Sequence, residues 1–191
     1  IIERLGFWKL KSDQPLILLH GASMGEARGL FPILESFEQN SKTNIIVTTT
    51  TTTGQDLILK KGTAAYLLPF DWEPLYHLAF GKAKIKLAII TETEIWPGLV
   101  WYLKQKGVPI VVVNARISDG SWRLYRALKF FFSPLLKSYE KILVSDAISF
   151  GRYKKLGVSD NSSDNRLVLT GNTKYDIEPS IKDTENAQEY K

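Results

Sequence analysis

The chain has 191 residues, of which 44% are hydrophobic and 24% charged, and carries a formal net charge of +5. This is ordinary globular composition, enough for one domain or one and a fraction with a real core. It has no cysteine and only two histidines, His20 and His77. That excludes disulfides, thiolate catalysis and cysteine-ligated metal, and argues against a histidine-built metal site.

The mild basic excess fits an anionic partner (a phosphorylated lipid, a membrane surface or nucleic acid) or a plain solvated surface. No apolar run approaches the ~20 residues that span a bilayer. The opening IIERLGFWKLK is too short and too charged for a signal peptide. It lacks an initiator Met, so the expectation is a chain that begins partway through a longer protein.

In chain order, PLILLH (15–20) reads as a strand, followed by a helix over 25–38 with Leu30, Ile33, Leu34 and Phe37 at helical spacing. NIIVTT (44–49) is the next strand, then a helix at 53–61, the strand AAYLLP (64–69) and a helix at 73–82. KLAIIT (86–91) leads to a helix at 95–106, and PIVVVN (109–114) to the longest helix, 120–138. KILVS (141–145), a helix at 146–156 closed by Gly157, and RLVLT (166–170) complete the series. Continuous apolar strands alternating with helices predict an α/β domain with a doubly wound, mostly parallel sheet. From residue 177 the polar IEPSIKDTENAQEYK lacks periodicity and reads as a linker or frayed tail.

Ligands of such sheets bind beyond the carboxyl ends of the strands. There the chain places HGASMGE, TTTTTTG, LPFD, TETEIWPG, NARISDGS and TGNTKYD. Gly21, Ala22, Ser23 and Gly25 let the backbone pass close to a ligand. Glu26 follows at a helix start, where a carboxylate is stabilised as an anion and available as a base. By spacing alone it reads more readily as a first-turn residue, or as N3 of a capping box with Ser23 as N-cap. Glu92 and Glu94 leave a buried strand together, and one functional glutamate with one cap is as good a reading as both acting. Pro97 suits a first helical turn. Arg116 is a fixed cation suited to carboxylate or phosphate, whereas Ser118 or Asp119 suits a helix cap. Asn172 and Lys174 meet an anionic ligand or simply form a turn with Gly171. In RLYRALKFFF, Arg123 and Arg126 beside an aromatic run fit either a membrane surface or a core stripe with snorkelling arginines.

Together these segments resemble the Kdo transferases, which move 3-deoxy-D-manno-octulosonic acid (Kdo) from CMP-Kdo to lipid A precursor in lipopolysaccharide synthesis. The resemblance rests on ERLGF, HGASMGE, TTTTTTG, YLLPFD, TETEIWPG, VNARIS with Ser121, and TGNTKYD, in order over residues 3–176. It implies the Rossmann-like N-terminal, acceptor-binding half (1–176) of a GT-B glycosyltransferase. Residues 177–191 would lead toward a C-terminal donor-binding domain. Glu26 would be the catalytic base, and a glutamate of TETEIWPG, either Glu92 or Glu94, would also be needed for activity. The implied substrate contacts are Ser23, Gly25, Thr51, Thr53, Gly54, Asp71, Asn114, Arg116, Ser118, Ser121, Asn172 and Lys174.

The resemblance implies no metal or other cofactor. The implied partners are the CMP-Kdo donor, the lipid A precursor and the surface of the inner membrane, on the cytoplasmic face in a Gram-negative bacterium. Gly21, Met24, Thr52 and Gly98 depart from the family pattern. They remove no charged group and bear on acceptor detail. Two other readings stay open: a GT-B glycosyltransferase with another donor, and a non-catalytic lipid- or anion-binding domain. Nucleic-acid binding is the weakest, because the basic residues are scattered and no recognition motif is present.

Overall fold

Seven runs of apolar and β-branched residues form seven strands in the computed structural model, which describes residues 2–8, 10, 14–40, 44–92, 95–158 and 165–171. The strands are β1 (Leu16–His20), β2 (Asn44–Thr49), β3 (Ala64–Leu67), β4 (Ile85–Thr91), β5 (Ile110–Ala115), β6 (Lys141–Val144) and β7 (Leu167–Leu169). They make one sheet in the order β3-β2-β1-β4-β5-β6-β7, and every neighbouring pair is parallel. Such pairs need crossover connections, which helices supply. The predicted α/β sheet is therefore present, with all seven predicted strands.

Both faces are covered, which is why the strands read as continuous apolar runs. Alternate residues go to opposite sides. Ile17, Leu19, Val47, Ile89 and Val113 pack with Ala27, Leu30, Leu34 and Ile58 on one face. Leu16, Leu18, Ile46, Ala88, Ile90 and Val112 pack on the other with Tyr76, Phe80, Leu99, Leu103 and Leu136. The first face carries α1 (Met24–Gly29), α2 (Phe31–Asn40) and α3 (Thr52–Lys60). The second carries α4 (Glu73–Phe80), α5 (Pro97–Gln105), α6 (Asp119–Ala127), α7 (Lys129–Leu136) and α8 (Ala147–Lys155).

Two predicted helices are each broken in two. The helix expected at 25–38 divides at Leu30, because Pro32 has no N–H to give the carbonyl four residues earlier. The one expected at 120–138 divides at Leu128, whose φ of −105° and ψ of 37° leave the helical region. After that break Phe132 turns inward onto Tyr125, with ring centroids 4.4 Å apart, while Phe130 and Phe131 stay outside.

The chain leaves β1 and fills one side of the sheet, then crosses from β3 to β4 and fills the other. The order reverses between β1 and β4, where a crevice opens beyond the strand ends. Leu18, at the centre of β1, is fully buried. Leu18→Ala should cost about 2–5 kcal/mol of stability, read as a lowered midpoint in urea denaturation with an unchanged slope.

Candidate active site

The loop leaving β1 is pinned before it reaches α1. His20 is fully buried, and its Nδ1 lies 2.9 Å from Thr48 Oγ1. Gly21 N–H donates to Thr48 O at 3.1 Å, and Thr50 N–H and its hydroxyl each donate to Ala22 O at 2.9 Å. A Cβ on Gly21 would sit 3.0 Å from backbone atoms of Glu26 and Ala27, so this close approach of loop and helix needs glycine. Part of the hydroxyl run thus serves as scaffold. Thr48 and Thr50 hold the β1 loop, and Thr51 caps α3 by accepting from Gly54 N–H at 3.2 Å.

Ser23 is the N-cap of α1 and accepts from Glu26 N–H at 3.2 Å. The Glu26 carboxylate folds back, accepting from Ala22 N–H at 2.8 Å and from the Ser23 hydroxyl at 3.0 Å. The capping reading and the cleft-facing reading hold together, because Glu26 also lines a cleft of about 490 Å³.

Glu92 enters the same cleft from the end of β4. Its N–H donates to Val113 O at 3.0 Å, and its φ is +61°. Asn114 has φ +53° and is buried. It lies where the β5–β6 register slips between Val112 and Ala115, and its amide Nδ2 donates to Glu92 Oε1 at 3.3 Å. Two adjoining non-glycine residues in the left-handed region mark strain held in place by their surroundings. Ser118, Ser121, Ile95, Trp96 and Tyr125 complete the cleft wall.

A wider cavity of about 1120 Å³ continues past Glu92 and Ser118 along the ends of β5 and β6. Arg116 lines it, with Asp146 and Arg152. Ser118 is the N-cap of α6, accepting from Ser121 N–H, and the two hydroxyls lie 3.0 Å apart. The fold thus brings Glu26, Glu92, Arg116, Ser118 and Ser121 to one crevice at the point where the strand order reverses.

Other predicted site residues fall elsewhere. Asp71 caps α5 from outside, accepting from Gly98 and Leu99 N–H at 3.1 and 3.0 Å and from Tyr76 hydroxyl at 2.9 Å. A Cβ on Gly98 would lie 2.8 Å from Asp71 Oδ1, so the glycine permits this cap. Ser23 and Gly25 sit on the exposed start of α1, and Thr51, Thr53 and Gly54 at the start of α3, outside both cavity linings. Glu94, Asn172, Lys174 and residues 177–191 lie outside the described residues.

Trp96, Ser145, Asp146, Ser149 and Arg152 line the cavities without having been singled out as site residues. Asp146, Ser149 and Arg152 share one face of α8, and that i, i+3, i+6 spacing directly after a strand was a usable signal. No group of three His, Asp or Glu among the described residues is placed to hold a metal ion. No helix among them is long and apolar enough to cross a membrane.

The family model of 3-deoxy-D-manno-octulosonic-acid transferase (kdotransferase) matches residues 1–177. A 3-deoxy-D-manno-octulosonic acid transferase of Haemophilus influenzae is 33% identical over 185 residues, 93% of this chain and 42% of the relative. A bifunctional glycosyltransferase/methyltransferase of Fusobacterium nucleatum is 29% identical over 86% of this chain and 26% of its own length. A 3-deoxy-D-manno-octulosonic acid transferase of Chlamydia pneumoniae is 28% identical over 85% of this chain and 37% of its own. The chain thus spans less than half the length of these curated relatives. Among solved structures, an S. aureus MnaA–UDP complex superposes with a TM-score of 0.62 at 14% identity, covering 93% of this chain and 51% of that one. That likeness and the sheet order give the chain a Rossmann-like α/β fold.

Burial of His20 gives the β1 exit a measurable signature. Desolvation lowers its pKa to about 4; the hydrogen bond with Thr48 opposes this, and Arg4 adds a smaller push downward. Below the ordinary value of 6.5 the unfolded chain takes up a proton that the native imidazole refuses until about pH 4. Stability should therefore fall as pH drops through that window, by at most roughly 3 kcal/mol from this group. Urea denaturation at pH 7 and pH 4.5 checks it: the loss should shrink in His20→Gln, and an equal loss in both proteins would remove His20 as the cause.

Proposed function

This chain belongs to the 3-deoxy-D-manno-octulosonic-acid transferase family, and on that footing we propose that it is the acceptor-binding half of an inverting Kdo transferase. The donor is CMP-Kdo and the acceptor a lipid A precursor. The carrying observation is Glu26, oriented by Ala22 N–H and the Ser23 hydroxyl in the cleft that Glu92 also enters.

In this reading the acceptor's sugar hydroxyl attacks the anomeric carbon of Kdo while Glu26 takes its proton. The new bond joins acceptor oxygen to anomeric carbon. The bond to the phosphate oxygen breaks, and CMP leaves with the electron pair. Fixed donors oriented toward the carboxylate spare reorganisation at the moment of reaction. Glu92, held in a strained backbone by Asn114, positions the acceptor beside the base. Arg116, which lines the adjoining cavity, is a cation suited to a carboxylate or phosphate of the bound substrates.

The inner-membrane surface is the partner that the α6–α7 corner supports. Leu124, Leu128, Phe130 and Phe131 are exposed, Phe130 to 79%. Arg123, Arg126 and Lys129 stand beside them on the exposed surface. Apolar side chains among cations fit an anionic lipid interface. Tyr125, Phe132 and Leu136 of the same run are buried, so a core stripe accounts for those residues and leaves the exposed ones to a membrane-facing role in this reading.

Two measurements test this. In the intact transferase, Glu26→Gln should lower transfer by roughly 10²- to 10⁴-fold while acceptor binding holds. Survival of transfer would move the base to Glu92 or Glu94. Separately, sedimentation with phosphatidylglycerol vesicles should weaken about ten-fold in Phe130→Ser, and unchanged binding would take the membrane role from this corner.

A further inference from the structure

The loop joining β5 to α6 carries Arg116 and Ser118, and α8 holds it along its length. Ser149, only 2% exposed, accepts from Ile117 N–H at 3.0 Å through its hydroxyl. The same hydroxyl donates to Asp146 Oδ2 at 2.8 Å. Arg152 donates from Nη1 to Ile117 O at 2.6 Å and pairs through Nη2 with Asp119. Both polar groups of the Ile117 backbone are thus taken by side chains of one helix. Asp146 also caps α8, accepting from Ser149 N–H at 2.7 Å, and its Oδ2 lies 3.9 Å from Arg116 Nε.

The side on which Asp146 meets the guanidinium matters. A guanidinium binds a carboxylate or phosphate through two parallel N–H donors. Asp146 stands at the Nε side, and among the described residues it is the one charged partner of Arg116. The outer Nη edge is left for a ligand in the cavity that Arg116 lines. Arg116 is 57% exposed at its side chain, so a long, mobile side chain gains direction from that partner. Burial would raise the Asp146 carboxyl, but hydrogen bonds from Ser149 and Ser145 and the nearby Arg116 outweigh it and hold the group below its ordinary value. It therefore stays charged at neutral pH.

We propose that one face of α8 is a clamp on the anion-binding loop, with Asp146, Ser149 and Arg152 as positioning residues that direct Arg116 toward an acidic group of the substrate. The inference rests on the reading that Arg116 contacts such a group. Carboxylate and phosphate share the required chemistry, and the donor and the lipid acceptor are both possible sources.

The test is a double-mutant cycle in the intact transferase, with KM for donor and for acceptor measured separately. Asp146→Asn and Asp146→Ser both keep a good N-cap on α8 while removing the charge beside Arg116. Either should raise one KM about five-fold, with kcat changed by less than about two-fold. The substrate whose KM moves is the source of the acidic group. Arg116→Gln should weaken the same KM at least as much. In the Arg116→Gln background the Asp146 substitution should add nothing, because the residue it directs is gone. Additive effects, or a neutral Asp146 substitution beside a damaging Arg116→Gln, overturn the clamp and leave the anion contact standing. A neutral Arg116→Gln overturns both. Thermal denaturation of each variant identifies any that fail to fold, and the other Asp146 substitution then carries the cycle.

Discussion

The site depends on how the backbone of Ala22 is held. Its carbonyl takes two hydrogen bonds from Thr50 at the exit of β2, and its N–H is given to the Glu26 carboxylate. The backbone of one residue therefore couples the position of the proposed base to the neighbouring strand. Strand exits of a parallel sheet carry backbone groups with no further ladder to join, and these must find partners elsewhere. Here the Thr50 hydroxyl, at the exit of β2, fills that need for the Ala22 carbonyl after β1, and the loop is fixed as a consequence.

Strain gathers at the next pair of exits. Glu92 and Asn114 both hold left-handed backbone without being glycine, at an expected cost of order 1–3 kcal/mol each. The Val113 carbonyl and the Asn114 amide lock Glu92 in place. A free strand end would relax; this one is held by the exit of β5, where the β5–β6 register slips around Asn114. The result is a second carboxylate aimed into the cleft that Glu26 lines, from the strand adjacent to β1.

The site is thus assembled from three directions. The β1–α1 loop is held by β2, the end of β4 by β5, and the β5–α6 loop by α8. Each support comes from an element distant in sequence and adjacent in space. The same logic governs Asp71, which leaves β3 and is spent on the N-terminus of α5, whose own N-cap, Trp96, makes no side-chain cap bond.

Much of this was legible in the residues themselves. Strands show as short apolar runs because both faces of the sheet are covered, and Ser23 with Glu26 at three-residue spacing announces a capping box because that contact closes within one turn. The tertiary structure alone decided which polar residues face the cleft and which serve as scaffold. Periodicity and spacing report contacts within a few residues. The partners of Thr50, Asp71, Asn114 and Ser149 lie 28, 27 or 28, 22 and 32 residues away. Only the strand order and the packing of helices against the sheet bring them together, because local patterns do not reach across such separations.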